Sequence, residues 1–147
     1  MHRFRWLDTH DAEIWGTVWE FVTWVPADLD EHLKSTERMA LTDYLTLLSI
    51  ARAEDHHITM SNLAHATRMS PSRLSHVMDR LEDRGLATRT RSEQDRRSSI
   101  ASLTPDGVEF MVRVTPAVVT HMRGTIFETV TEEELDQLNA IMKKIMK

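Results

Sequence analysis

From Asp8 to Ser35 apolar residues recur at the three-and-four spacing of one helix face: Trp15, Val18, Trp19, Val22, Val25 and Leu29. Ile14, Phe21 and Trp24 form a second stripe, so this helix is expected to meet more than one partner. Pro26 lies inside the pattern and is expected to kink the helix or divide it in two. A second helix is expected after Thr42, a good cap residue, with Tyr44, Leu45, Leu48 and Ala51 inward. The polar run Glu54-Asp55-His56-His57 then reads as a loop.

The middle of the chain carries stronger punctuation. Thr59 can cap a short helix from Met60 to about Thr67, with Leu63 and Ala64 inward. A brief turn, Arg68-Met69, leads to Ser70-Pro71, a cap serine followed by a residue with no N–H to satisfy. The helix it opens is expected to run to Arg84 and to stop at Gly85. Its inner face is Leu74, Val77, Met78 and Leu81; its outer face is Ser72, Arg73, Ser75, His76, Asp79 and Arg80. Two short helices with a tight turn between them describe a helix-turn-helix.

Leu86–Thr90 and Ser98–Leu103 alternate roughly and flank the charged run Arg91-Ser92-Glu93-Gln94-Asp95-Arg96-Arg97, which predicts a β-hairpin with a polar tip. A hairpin directly after the second helix of such a pair is the wing of a winged helix. Thr104-Pro105 repeats the cap-plus-proline start and opens a helix with Val108, Met111, Val112, Thr115, Val118, Val119 and Met122 on one face and Pro116 at an expected kink. Thr131-Glu132-Glu133-Glu134 is a capping box that opens a last helix with Leu135, Leu138, Met142 and Ile145 inward. The fold class is therefore mainly α with a small β-hairpin wing.

At 147 residues the chain reads as a single domain over 1–147, with a reading module at about 42–103 and dimerisation helices at about 8–35 and 104–146. Its most apolar segment, Thr17–Val25, is interrupted by Glu20 and too short for a span of roughly 20 residues. The start of the chain does not read as a secretory signal, so a cytoplasmic location is expected. Without cysteine there is no thiolate metal site, no thiol nucleophile and no switch by thiol oxidation. The net charge of −5 changes meaning by region: Ser61–Leu103 holds eight arginines, no lysine and five acids, a local +3 against −8 elsewhere. His56-His57 beside Glu54-Asp55 could suggest a metal, but consecutive residues on a loop lack the i, i+4 spacing of a helical site. No glycine-rich phosphate loop, nucleophile elbow or paired-carboxylate motif is present, so no enzyme and no cofactor is expected.

Gly85-Leu86, Asp95 and Arg97 two apart, Leu103-Thr104 and Gly107 resemble the wing of the MarR (multiple antibiotic resistance regulator) family. Leu63-Ala64, Ser70-Pro71-Ser72 and Asp79-Arg80-Leu81-Glu82 sit where that family places its helix-turn-helix. Two positions depart from it. Arg68 stands where many members have glycine, which strains its backbone or reshapes the turn, and Asn62 replaces the acid often found before Leu-Ala.

The reading that results is a winged helix-turn-helix regulator with terminal dimerisation helices, acting as a homodimer on a near-palindromic double-stranded operator until a small molecule releases it. Arg73, three residues from His76 and flanked by Ser70, Ser72, Ser75 and Arg80, is the best candidate for bidentate contact with a guanine. The resemblance implies that Arg97 enters the minor groove, that Asp95 shapes the tip, and that Arg89, Arg91 and Arg96 meet phosphates. It also implies an effector pocket for aromatic or amphipathic compounds, which Trp15, Trp19 and Tyr44 would suit. The alternative is a winged helix used as a protein-interaction or structural dimer module. Its outer helix face would carry apolar or aromatic anchors rather than Ser72, Arg73, Ser75 and His76.

Overall fold

The computed structural model describes residues 9–91 and 98–146, which belong to two compact units, Met1–Leu41 and Thr42–Lys147. The first is one long helix, α1 (His10–Glu37). Thr9 starts it by accepting the Ala12 N–H at 3.2 Å, and Arg38 ends it in the left-handed conformation. The helix continues through Pro26 and is not divided there. Leu33 is its one buried residue; of the expected apolar stripes Phe21, Val25 and Leu29 are half-buried and the rest lie open, with Trp15 63% and Trp19 61% exposed.

The second unit runs α2 (Leu41–Ala51), β1 (His57–Thr59), α3 (Met60–Thr67), α4 (Pro71–Asp83), β2 (Ala87–Arg91), β3 (Ser99–Leu103), α5 (Pro105–Thr125) and α6 (Glu132–Ile145), α2 taking its first residue from the end of the first unit. Thr42 does not cap α2, because the helix has already begun one residue earlier. Asp30 supplies the cap instead, accepting the Leu41 N–H at 2.8 Å. That hydrogen bond, with Lys34 alongside, holds the Asp30 carboxyl below the usual carboxylate range. The inward face of α2 is also one step out of phase with the expected one. Tyr44, Thr46, Leu47 and Ile50 are buried together with Asp43, whereas Leu45 is exposed.

His57 does not belong to a loop. It opens β1, which pairs antiparallel with β3 (Ile58 opposite Ala101), so the wing is a three-stranded sheet in the order β1-β3-β2. Three residues are too few to show alternation, which is why the strand has no signature in the chain. β2 and β3 pair from Ala87 opposite Leu103 to Arg91 opposite Ser99.

α3 and α4 follow the sequence closely. Thr59 accepts the Asn62 N–H at 3.2 Å, Ser70 accepts the Arg73 N–H at 3.3 Å, and Leu74, Val77, Met78 and Leu81 are all buried. Arg68, between the helices, has φ 56° and ψ 30°, the left-handed region that favours glycine. Gly85 ends the α4 segment at φ 69°. Gly107, in the first turn of α5, is required for a different reason. A Cβ there would lie 1.9 Å from the Leu86 carbonyl oxygen, so α5 can lie against the start of β2 only with glycine. The Thr104 hydroxyl closes the same joint by donating to the Gly85 carbonyl at 2.6 Å.

α5 passes through Pro116 uninterrupted and buries Gly107, Phe110, Met111, Val114 and Val118. The expected face was partly wrong: Val112 and Val119 are exposed, and Phe110 and Val114 take the inward places. α6 has the expected capping box, Thr131 with Glu134, but no buried residue. Leu138, Ile141, Met142 and Ile145 stay exposed because nothing within one chain covers them. Among the described residues no helix is long and apolar enough to cross a membrane.

Candidate nucleic-acid interface

The site is built on α4, whose serine cap and N1 proline aim its first turn outward. Its amphipathic sequence puts four large side chains in the core and leaves Ser72, Arg73, His76, Asp79 and Arg80 on the surface. The His76 ring stands 74% exposed, with Nδ1 3.9 Å from an Asp79 oxygen.

Two ion-pair assemblies fix this helix. Arg80 makes a two-pronged contact with Asp43 of α2, Nε to Oδ2 at 3.0 Å and a terminal nitrogen to Oδ1. The Asp43 side chain is only 6% exposed, and Thr42 donates to it at 3.3 Å. A buried carboxylate requires such partners, and the planar guanidinium fork matches both of its oxygens. Arg89 of β2 forms the second assembly. Its backbone N–H donates to Glu82 at 2.7 Å, and its guanidinium reaches Glu82, Asp79 and the Ser75 hydroxyl. These contacts tie the base of the wing to the exposed side of α4. The carboxylates hold both arginines above their ordinary values, chiefly through the hydrogen bonds that Arg80 donates to Asp43 and Arg89 donates to Glu82. Both guanidinium groups therefore stay charged across the accessible pH range.

The residues named from sequence therefore fall into three sets. Ser72, Arg73, His76 and Arg91 are exposed, and Ser70 is exposed while capping its helix. Ser75, Arg80 and Arg89 are engaged within the protein, so Arg89, expected at a phosphate, has its guanidinium on two carboxylates and a hydroxyl. Asp95, Arg96 and Arg97 lie outside the described residues. Sequence reasoning missed Asp43, although a lone acid in the apolar run Leu41–Ala51 was the available signal.

The three residues named for an effector are not alike. Trp15 and Trp19 lie exposed on α1 with ring centroids 6.0 Å apart. Tyr44 is 3% exposed in the second unit, its hydroxyl 3.4 Å from that of Thr115. His56 contacts the Ala51 carbonyl through Nδ1 at 2.9 Å, and the described residues contain no cluster that could hold a metal ion.

Residues 39–98 match the model of the MarR family. The fold is similar to that of AbsC, a MarR family transcriptional regulator from Streptomyces coelicolor, with a TM-score of 0.87 and 32% identity over 94% of this chain and 93% of that one. It is equally similar to Sco3205 of the same organism, a MarR family regulator solved in complex with DNA, at TM-score 0.87 and 29% identity over 94% and 87% of the two chains. The transcriptional repressor MprA of Escherichia coli K12 is 30% identical over 105 residues, which are 71% of this chain and 59% of MprA. The chain spans about three fifths of the length of the curated relatives it matches.

Proposed function

Because the chain belongs to the MarR family, we propose that it is a sequence-specific DNA-binding transcriptional regulator that acts in the cytoplasm as a homodimer. One observation carries the reading: the recognition face of α4 leaves Ser72, Arg73 and His76 exposed, while ion pairs from Arg80 to the buried Asp43 and from Arg89 to Glu82 and Asp79 hold the helix to α2 and to the wing. A helix fits the major groove, about 12 Å wide, where arginine reads the O6 and N7 atoms of guanine. Sco3205, solved in complex with DNA, supports the same use of the fold here. Repression is the favoured direction, in line with the relative named as a repressor.

The second copy of the chain covers the exposed apolar faces of α1 and α6. Twofold symmetry then places two α4 helices one turn of DNA apart, about 34–36 Å, on a near-palindromic operator. Arg97 serves the minor groove in this reading, Asp95 holds the tip in shape, and Arg91 and Arg96 serve phosphates. The direct test is retardation of duplex DNA at low salt, followed by competition with unrelated duplex. A chain that retards no duplex while sedimenting as a folded species is an interaction module instead.

Release by a small aromatic or amphipathic ligand completes the proposal, with the exposed Trp15 and Trp19 of α1 as its aromatic contacts. Such a ligand acts only by binding the DNA-incompetent arrangement of the dimer better than the competent one. Tryptophan emission and operator affinity, followed on one panel of phenolic and aromatic acids, test it. Compounds that change neither leave no ligand switch.

A further inference from the structure

A cleft of about 330 Å³ opens beside the turn that joins α3 to α4. Three guanidinium side chains line it: Arg52 from the end of α2, Arg68 from the turn and Arg73 from the first turn of α4. All three residues are exposed. Among the described residues, none of the three side chains has a hydrogen-bond or ion-pair partner. That contrasts with Arg80 and Arg89, whose charges are matched by buried or half-buried carboxylates. Three like charges around one cleft repel one another unless an anion joins them, and this protein has acids to spare, with a net charge of −5. Thr42, Ser49 and Thr67 also line it, with their hydroxyl protons donated to Asp43 and to the Leu45 and Leu63 carbonyls.

Arg68 adds a second, independent mark. It holds a left-handed backbone that glycine would hold without strain, at φ 56°. Arg38, Asp55 and His56 hold positive φ as well, and what sets Arg68 apart is that its side chain lines the cleft.

We infer that this cleft binds a phosphate of the DNA backbone, with Arg68 and Arg52 as its clamp, next to the base that Arg73 reads. The inference rests on the DNA-binding reading of α4. It extends the footprint from the recognition helix to the turn before it and to the residue that follows α2. Phosphate contacts position a protein on the duplex without reading bases, so these two arginines set affinity and register, while Arg73 sets preference.

The test uses Arg68→Gly and Arg52→Ala in the full chain, with operator and unrelated duplex titrated over a range of salt. Arg68→Gly relieves the left-handed backbone, so its Tm should not fall, which separates a contact role from a structural one. Each variant should bind both duplexes more weakly by the same factor, about tenfold. The slope of log affinity against log salt should flatten by about 1 per arginine in each protomer, with base preference unchanged. Unchanged affinity and slope in both variants, with the parent still binding DNA, would overturn the clamp and leave the DNA-binding reading intact. If the parent itself binds no duplex, both readings fall together. Inorganic phosphate titrated at constant ionic strength separates the remaining source. Saturable binding that Arg68→Gly abolishes, without any loss of DNA affinity, assigns the cleft to a free anion and overturns the proposal.

Discussion

Arg80 and Asp43 are unequal partners, and the inequality predicts how each fails. The Arg80 side chain is 49% exposed and can turn to water when Asp43 is removed. Asp43 is buried and cannot, so Arg80→Ala strands a carboxylate with little besides Thr42 to satisfy it. Arg80→Ala should therefore cost about 3 kcal/mol and Asp43→Ala clearly less, as read from denaturant midpoints. Equal losses would show that the pair acts by packing alone. Asp30 gives a prediction in pH. Its carboxyl is lowered in the folded state, so its contribution is complete above about pH 4 and is lost as pH falls through the lowered value. The stability gap between parent and Asp30→Asn should close over that range, and a gap that stays constant would deny the cap its charge. Neither partner choice was legible in the chain: Asp30 meets Leu41 only through the way α1 ends and α2 begins, and Asp43 meets Arg80 only through the packing of α2 and α4, 37 residues apart.

Elements were legible where caps and amphipathic pattern agreed. In α4 the Ser-Pro start, the buried quartet and Gly85 all point to one helix in one orientation. The faces of α2 and α5 were misread for a common reason. Each carries apolar residues around more than one side, and periodicity alone does not say which stripe the same chain buries. In α5 the exposed Val112 and Val119 compete with the buried Phe110 and Val114. In α2 the buried set includes Asp43 and Thr46, which a hydrophobic pattern passes over. Gly107 was noticed in sequence only as part of a resemblance, and its cause is the 1.9 Å approach of Leu86. Gly107→Ala forces backbone apart at the joint between wing and α5, and should cost about 1–3 kcal/mol. A variant as stable as the parent in thermal melts would show that the joint can yield.

On the scale of the whole molecule, the apolar stripes of α1 and α6 are the largest feature that a single chain leaves unexplained. Ile14, Trp15, Val18, Trp19 and Val22 on one, and Leu138, Ile141, Met142 and Ile145 on the other, are too many large apolar groups to leave in water. Sedimentation should show a dimer at micromolar concentration, with tryptophan emission shifting to the red if the protomers are forced apart. A stable folded monomer under those conditions would contradict the proposed dimer. The local excess of arginine between Ser61 and Leu103 also takes a more specific form in the structure. Of the arginines counted between Ser61 and Leu103, Arg80 and Arg89 brace the module, while Arg68, Arg73 and Arg91 lie exposed.

The central claim is that the exposed face of α4 reads DNA sequence, and selection of bound duplexes from a random pool, run with the parent and with Arg73→Ala, tests it most directly. The account predicts enrichment of a near-palindrome whose half-sites lie one helical turn apart. It also predicts that Arg73→Ala relaxes preference at one position of each half-site, worth about 1–3 kcal/mol, while the rest of the motif persists. A folded parent that enriches no sequence, or an Arg73→Ala variant that selects the parent's motif unchanged, would contradict it.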